Sequence, residues 1–129
     1  MCELRIYKTK TFRRFQRKEG MTDEALCEAV RRAEAGSVDA QLGRYLIKQR
    51  VARQGAGRRG GFRTIIAYRV GDCAVFIYGF AKNQKDNISA ADEHDMAQTG
   101  ALLLGLDADG IETLIVEGEL WEVACDDED

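Results

Sequence analysis

The sequence predicts an α+β fold, a small antiparallel sheet packed against helices, and three observations carry that prediction. Apolar residues recur at helical spacing in the first third of the chain, change to alternation from Leu42 to Ala81, and return to helical spacing after Ser89. The 129 residues, 45% of them apolar, suit one buried core. No proline, internal repeat or linker divides the chain. Residues 1–125 therefore read as a single domain, followed by an acidic tail at 126–129 that is expected to be disordered.

Leu4-Arg5-Ile6-Tyr7 alternates apolar and polar residues and predicts a short strand, with Thr9 or Thr11 as the cap of a basic helix. Phe12 and Phe15 share one face of that helix, leaving Arg13, Arg14, Arg17 and Lys18 to solvent or a partner. Gly20 stops it; Thr22 with Asp23 and Glu24 starts a second helix, whose stripe is Leu26, Ala29, Val30 and Ala33. The two are expected to form a helical hairpin. Next comes a strand with Leu46, Lys48 and Arg50 on one side and Ile47, Gln49 and Val51 on the other. Gly61–Val70 and Cys73–Ala81 predict two further strands joined by a tight turn at Gly71-Asp72, making three antiparallel strands. Ser89 caps a helix that draws on Met96, Leu102, Leu103 and Leu106 for apolar contacts. A short helix near Ile111–Val116, Gly118, and an extended Leu120-Trp121-Glu122-Val123 complete the order.

Charge is divided sharply. All nineteen Lys and Arg lie between Arg5 and Lys85, whereas residues 86–129 hold fourteen of the twenty-two Asp and Glu and no basic residue. The net charge of −3 thus conceals a basic body, which attracts phosphate, and an acidic remainder, which opposes it. The acidic terminus reads as a solubilising tail, with shielding of the basic face as its functional alternative. No apolar run reaches the roughly 18–20 residues that span a bilayer, and Met1-Cys2-Glu3-Leu4-Arg5 lacks a secretory layout, so a cytoplasmic protein without membrane contact is expected. Cys2, Cys27, Cys73 and Cys125 show no paired spacing, and reduced thiols with neither metal site nor disulfide are expected.

Two local signals invite over-reading. Gly55-Ala56-Gly57-Arg58-Arg59-Gly60 matches a dinucleotide fingerprint in letters, but a strand rather than a helix follows it. It reads as a hairpin loop, with Arg53, Arg58 and Arg59 as phosphate contacts. His94, the one histidine, stands among Asp92, Glu93 and Asp95; consecutive residues diverge around a helix, so a solvated position is expected and no metal or cofactor is implied. The stronger pattern is a basic row across the sheet: Lys48 and Arg50 two apart, Arg63 and Arg69 at even spacing, and Lys82 and Lys85 after the last strand. Tyr68 or Tyr78 adds stacking or hydroxyl contacts if it shares that face.

The strings Tyr7-Lys8-Thr9-Lys10-Thr11-Phe12, Leu26-Cys27-Glu28-Ala29-Val30, Ile47-Lys48-Gln49-Arg50-Val51-Ala52-Arg53, Gly60–Arg69 and Phe76–Asn83 resemble the RelE/HigB-like toxins of bacterial type II toxin–antitoxin modules, and the resemblance runs to Gly118–Val123. It implies a small sheet packed by N-terminal helices, ribosome-dependent cleavage of mRNA, and a cognate antitoxin as partner alongside ribosome and mRNA. Such cleavage needs no metal, because RNA supplies its own 2′-hydroxyl; the protein orients it, assists proton transfer and neutralises phosphate charge. By resemblance the family's basic strand positions fall on Lys48 and Arg50, its central arginine on Arg63, and its basic position after the last strand on Lys82, with Lys85 beside it. The family's active-site His has no counterpart, and its helical Tyr is absent from Asn87–Gly105. The catalytic candidates are therefore Arg63, Lys82 and Tyr78, with Tyr68 as the alternative hydroxyl. Lys48, Arg50, Arg53, Arg58, Arg59, Arg69 and Lys85 are the RNA-binding candidates. A non-catalytic module that binds RNA or antitoxin, and a ParE-like gyrase inhibitor, are the competing readings.

Overall fold

In the computed structural model of the chain, residues 4–53, 57–81 and 88–125 are described, with backbone only at 52, 53 and 57–60. The elements are β1 (Arg5–Thr9), α1 (Lys10–Glu19), α2 (Asp23–Glu34), β2 (Ala40–Gly43), β3 (Leu46–Arg53), β4 (Gly57–Arg69), β5 (Cys73–Ala81), α3 (Ala90–Leu104), α4 (Ala108–Val116) and β6 (Leu120–Glu122). The helix boundaries follow local chemistry. Thr9, Thr22 and Ser89 each accept a hydrogen bond from the backbone N–H three residues on, and Gly20 closes α1 at φ 71°, where side-chain-bearing residues are strained.

The fold class holds as α+β, but the sheet is larger than three strands and is mixed. Six strands run in the order β2-β3-β4-β5-β1-β6. β1 pairs parallel with β5 and antiparallel with β6, so the N-terminal strand enters the sheet beside a strand nearly seventy residues away. That pairing has no local signal, which is why alternation alone suggested only consecutive antiparallel hairpins. Two further expectations are corrected. β4 begins at Gly57, so Gly57–Gly60 is strand instead of loop. Cys27 and Cys125 are joined by a disulfide, while Cys73 is a free, half-buried thiol.

Helices cover both faces of the sheet. On one side α1 packs on β5 and α2 on β3, burying Phe12, Leu26, Ala29 and Val30 against Ile47, Val51, Ile66 and Phe76. On the other, Leu103 and Leu104 of α3 close over Ile65, Ala67, Val75 and Ile77. Leu102, expected to pack, is instead 70% exposed on the outer side of α3.

A bulge between β4 and β5 matters most for the site. Ile65 pairs with Tyr78 but Ile66 pairs with Phe76, leaving Ile77 as an extra residue. Ile77 and Tyr78 consequently both pack toward the α3 side, and beyond them Phe80 does too. Gly79 then faces α1, where a Cβ would lie 2.5 Å from the Phe15 ring and 3.1 Å from Phe12.

Candidate nucleic-acid interface

Residues directly opposite in an antiparallel pair share a face, so the registers assemble the site without further assumption. Arg50 stands opposite Arg63, and Arg63 opposite Phe80. One step along, Lys48 stands opposite Ile65, and Ile65 opposite Tyr78. The α3-side face of β3, β4 and β5 thus carries Lys48, Arg50, Arg63 and Tyr78, all half-buried, with Phe80 buried beside Tyr78 at a ring separation of 6.1 Å.

Like charges directly across a sheet repel, and neither the Arg50 nor the Arg63 guanidinium has an acidic partner among the described residues. Asp39, which touches the Arg50 backbone, is turned to another task. Its carboxylate accepts the Arg50 backbone N–H at 2.6 Å and lies 3.9 Å from Arg32, whose guanidinium in turn donates to the Arg50 carbonyl. The preceding residue, Gln49, is fully buried: its amide donates to the carbonyls of Ala29 and Ser37 and accepts from Asp39 N–H, while Thr64 donates to the Gln49 carbonyl. These bonds fix the backbone that presents Lys48 and Arg50. Asp39, Arg32 and Gln49 escaped the sequence reading because they act on backbone groups, for which residue type and spacing leave no pattern.

Other candidates fall elsewhere. Arg69 is on the same face as Arg63 but six residues, about 20 Å, along the strand. It donates to Asp72 at 2.6 Å and to the Leu104 carbonyl at 2.8 Å, joining the β4–β5 turn to the end of α3. Tyr68 lies on the opposite face, where its hydroxyl donates to Glu34. Burial, then the Glu34 carboxylate, raises its pKa. Of the two tyrosines left open by the sequence, Tyr78 is therefore the one beside the basic row. His94 is exposed on α3, and no group of three or more metal-ligating side chains occurs among the described residues. Arg53 pairs with Gly57 at the open end of β3 and β4, and Arg58 and Arg59 follow in β4; their side chains, with Lys82 and Lys85, lie outside the described residues.

A family model described as the RelE toxin of the RelE/RelB toxin–antitoxin system matches residues 4–123. The chain belongs to the RelE toxin family. Among curated proteins, no sequence matches it significantly. Family membership makes this RelE-family chain a toxin of a toxin–antitoxin system and implies an antitoxin partner. No helix among its described residues is long and apolar enough to cross a membrane. In this RelE-family toxin the matched segment contains the whole basic row, the bulge that aligns Tyr78 with it, and both covering helix layers.

Proposed function

We propose that the protein is a cytoplasmic, ribosome-dependent endoribonuclease that cleaves mRNA through the RNA's own 2′-hydroxyl and is held in check by its antitoxin. The observation that carries this reading is the Arg50–Arg63 cross-strand pair beside Tyr78. Two guanidiniums on one face, with no acidic partner among the described residues, repel each other and become favourable when a phosphate lies between or over them. In the proposed step the 2′-oxygen forms a bond to the neighbouring phosphorus, the bond to the 5′-oxygen breaks, one proton leaves the 2′-hydroxyl and one reaches the departing oxygen. Arg63 and Lys82 neutralise charge on the pentavalent phosphate, Tyr78 handles a proton, and Lys48 and Arg50 hold the strand in line. Arg53, Arg58, Arg59 and Lys85 extend the phosphate track beyond the site; Arg69, already bonded to Asp72 and Leu104, is left a structural part.

The test is induced expression with mapping of mRNA 5′ ends, comparing wild type with Arg63→Met and Tyr78→Phe. Ribosome-dependent cuts that disappear in both variants support the proposal. Salt-sensitive RNA binding without any cut would replace it with the binding-module reading. Blocked supercoiling with intact mRNA would replace it with gyrase inhibition.

A further inference from the structure

We infer that Cys27 and Cys125 form a reversible redox latch that fastens the C-terminal strand to the α1–α2 layer, independently of what the basic row does to RNA. Cys27 is 1% exposed within α2, and its disulfide to Cys125 spans 98 residues of sequence. Cys125 is exposed just beyond β6. The strand it follows has three residues and forms one edge of the sheet, with β1 as its strand neighbour. Beyond its ladder to β1, where Glu122, Trp121 and Leu120 stand opposite Tyr7, Lys8 and Thr9, the flanking backbone bonds are Lys10 N–H to the Glu119 carbonyl at 3.2 Å and Val123 N–H to the Ile6 carbonyl at 2.8 Å. A three-residue edge strand with a single strand neighbour belongs to the less protected part of a sheet, and the disulfide is the covalent tie between its exit and the helix layer.

The asymmetry of the two sulfurs suits a switch. An external thiolate attacks the sulfur of Cys125, the exposed residue of the pair, breaks the S–S bond, and leaves Cys27 as the departing thiolate; a second external thiol resolves the mixed disulfide. In sum, two low-molecular-weight thiols of the glutathione class are oxidised to their disulfide, and two electrons and two protons pass to Cys27 and Cys125. The reverse exchange closes the latch. Cys73 competes poorly, since burial, with Asp72 beside it, pushes its thiol up to about 11. In an environment that keeps thiols reduced, such a pair is a redox-responsive element instead of a permanent staple.

Trp121, the chain's one tryptophan, reports on the latch because it is half-buried in β6 with the Arg13 guanidinium 4.4 Å over its ring. The experiment uses the full chain with Cys2→Ser, equilibrated in mixtures of reduced and oxidised glutathione. Alkylation with mass detection, Trp121 emission, amide exchange at Val123 and thermal melting are read on each sample. In oxidising buffer Cys27 and Cys125 should resist alkylation. Reduction should lower Tm by about 10 °C, speed Val123 exchange by about tenfold or more and shift Trp121 emission to the red, with full return on reoxidation. Cys125→Ser, a change at an exposed position, should match the reduced protein in every buffer. Alkylation of both residues in oxidising buffer, failure to re-form the bond, or equal melting and exchange in the two states would overturn the inference.

Discussion

The Lys8 ammonium lies 2.9 Å from the Asp23 carboxylate, in a bond that crosses from the sheet to the start of α2. Lys8 is only 8% exposed, yet its charge is paired: it also donates to Gln16 at 2.7 Å, and Gln16 donates to Asp23 at 2.7 Å and to the Met21 carbonyl at 3.1 Å. One buried cation thus fastens β1, α1 and α2 at the point where the chain turns between helices.

This network makes stability depend on acid. Burial pushes the Asp23 carboxyl up, but the hydrogen bonds from Gln16 and Lys8 and the Lys8 charge outweigh it, so the pKa is lowered. The unfolded chain, at about 3.9 for an ordinary Asp, then binds the proton more readily than the folded one. The contribution is fully present above about pH 4 and is lost as pH falls through the lower folded value. Asp23→Asn should be less stable than wild type by about 1–2 kcal/mol at neutral pH, the partial exposure of Asp23 moderating the loss of a buried ion pair. Urea melts across pH should show the two proteins converging in acid; a constant gap would contradict the assignment.

Arg63 should behave in the opposite sense, trading stability against activity. Its stem packs in the sheet while its charge faces that of Arg50, so Arg63→Met keeps the apolar contact and removes the repulsion. The variant is expected to melt at or slightly above the wild-type temperature, within about 1 kcal/mol, while losing RNA cleavage and lowering the salt sensitivity of RNA binding. Thermal melts beside binding measured at two salt concentrations check both halves. A large destabilisation would mean that Arg63 is a structural residue.

The two buried-side tyrosine questions separate in the same way. Tyr68→Phe removes a hydroxyl that donates to Glu34, whose carboxylate also accepts the Gly71 N–H at 2.9 Å in the β4–β5 turn. It should cost about 1–2 kcal/mol and leave RNA cleavage intact. Tyr78→Phe should cost less than about 1 kcal/mol yet reduce cleavage by about a hundredfold or more. Denaturant melts and single-turnover cleavage on the two variants give the comparison; the reverse pattern would move the catalytic hydroxyl to the other face.

Local features were the legible ones. The caps at Thr22 and Ser89, Thr9 as one of two candidate caps, the stop at Gly20, the stripe of α2 and the two sides of β3 each depend on residues within a few positions of one another. Strict alternation on β3 was therefore enough to place Lys48 and Arg50 on one face. The choice between Tyr68 and Tyr78 was not legible, because a bulge shifts parity by one residue and depends on how β4 and β5 meet. The role of Lys8 was not legible, since nothing near it in sequence reveals that Gln16 and Asp23 fold over it. The Cys27–Cys125 bond, spanning 98 residues, likewise follows from topology alone.

The bulge predicts one further result. It turns Gly79 toward α1 with no room for a side chain, since a Cβ would sit 2.5 Å and 2.6 Å from two atoms of the Phe15 ring. That ring cannot simply retreat: it stands edge-on to Phe62 at 5.5 Å and beside Phe12 at 6.0 Å. Gly79→Ala should destabilise the protein by about 2–3 kcal/mol, as overpacking of a filled core does. Because the clash is with one ring, shortening that ring should relieve it. Phe15→Leu alone removes packing and should destabilise, but in the Gly79→Ala background it should cost less, or restore stability, giving a favourable coupling of about 1 kcal/mol or more. A double-mutant cycle by denaturant melts measures this directly. Strict additivity would place the strain of Gly79→Ala in the β5 backbone instead, and would point to the bulge, which holds Tyr78 and Phe80 on the α3 side, as the element that cannot accept a side chain.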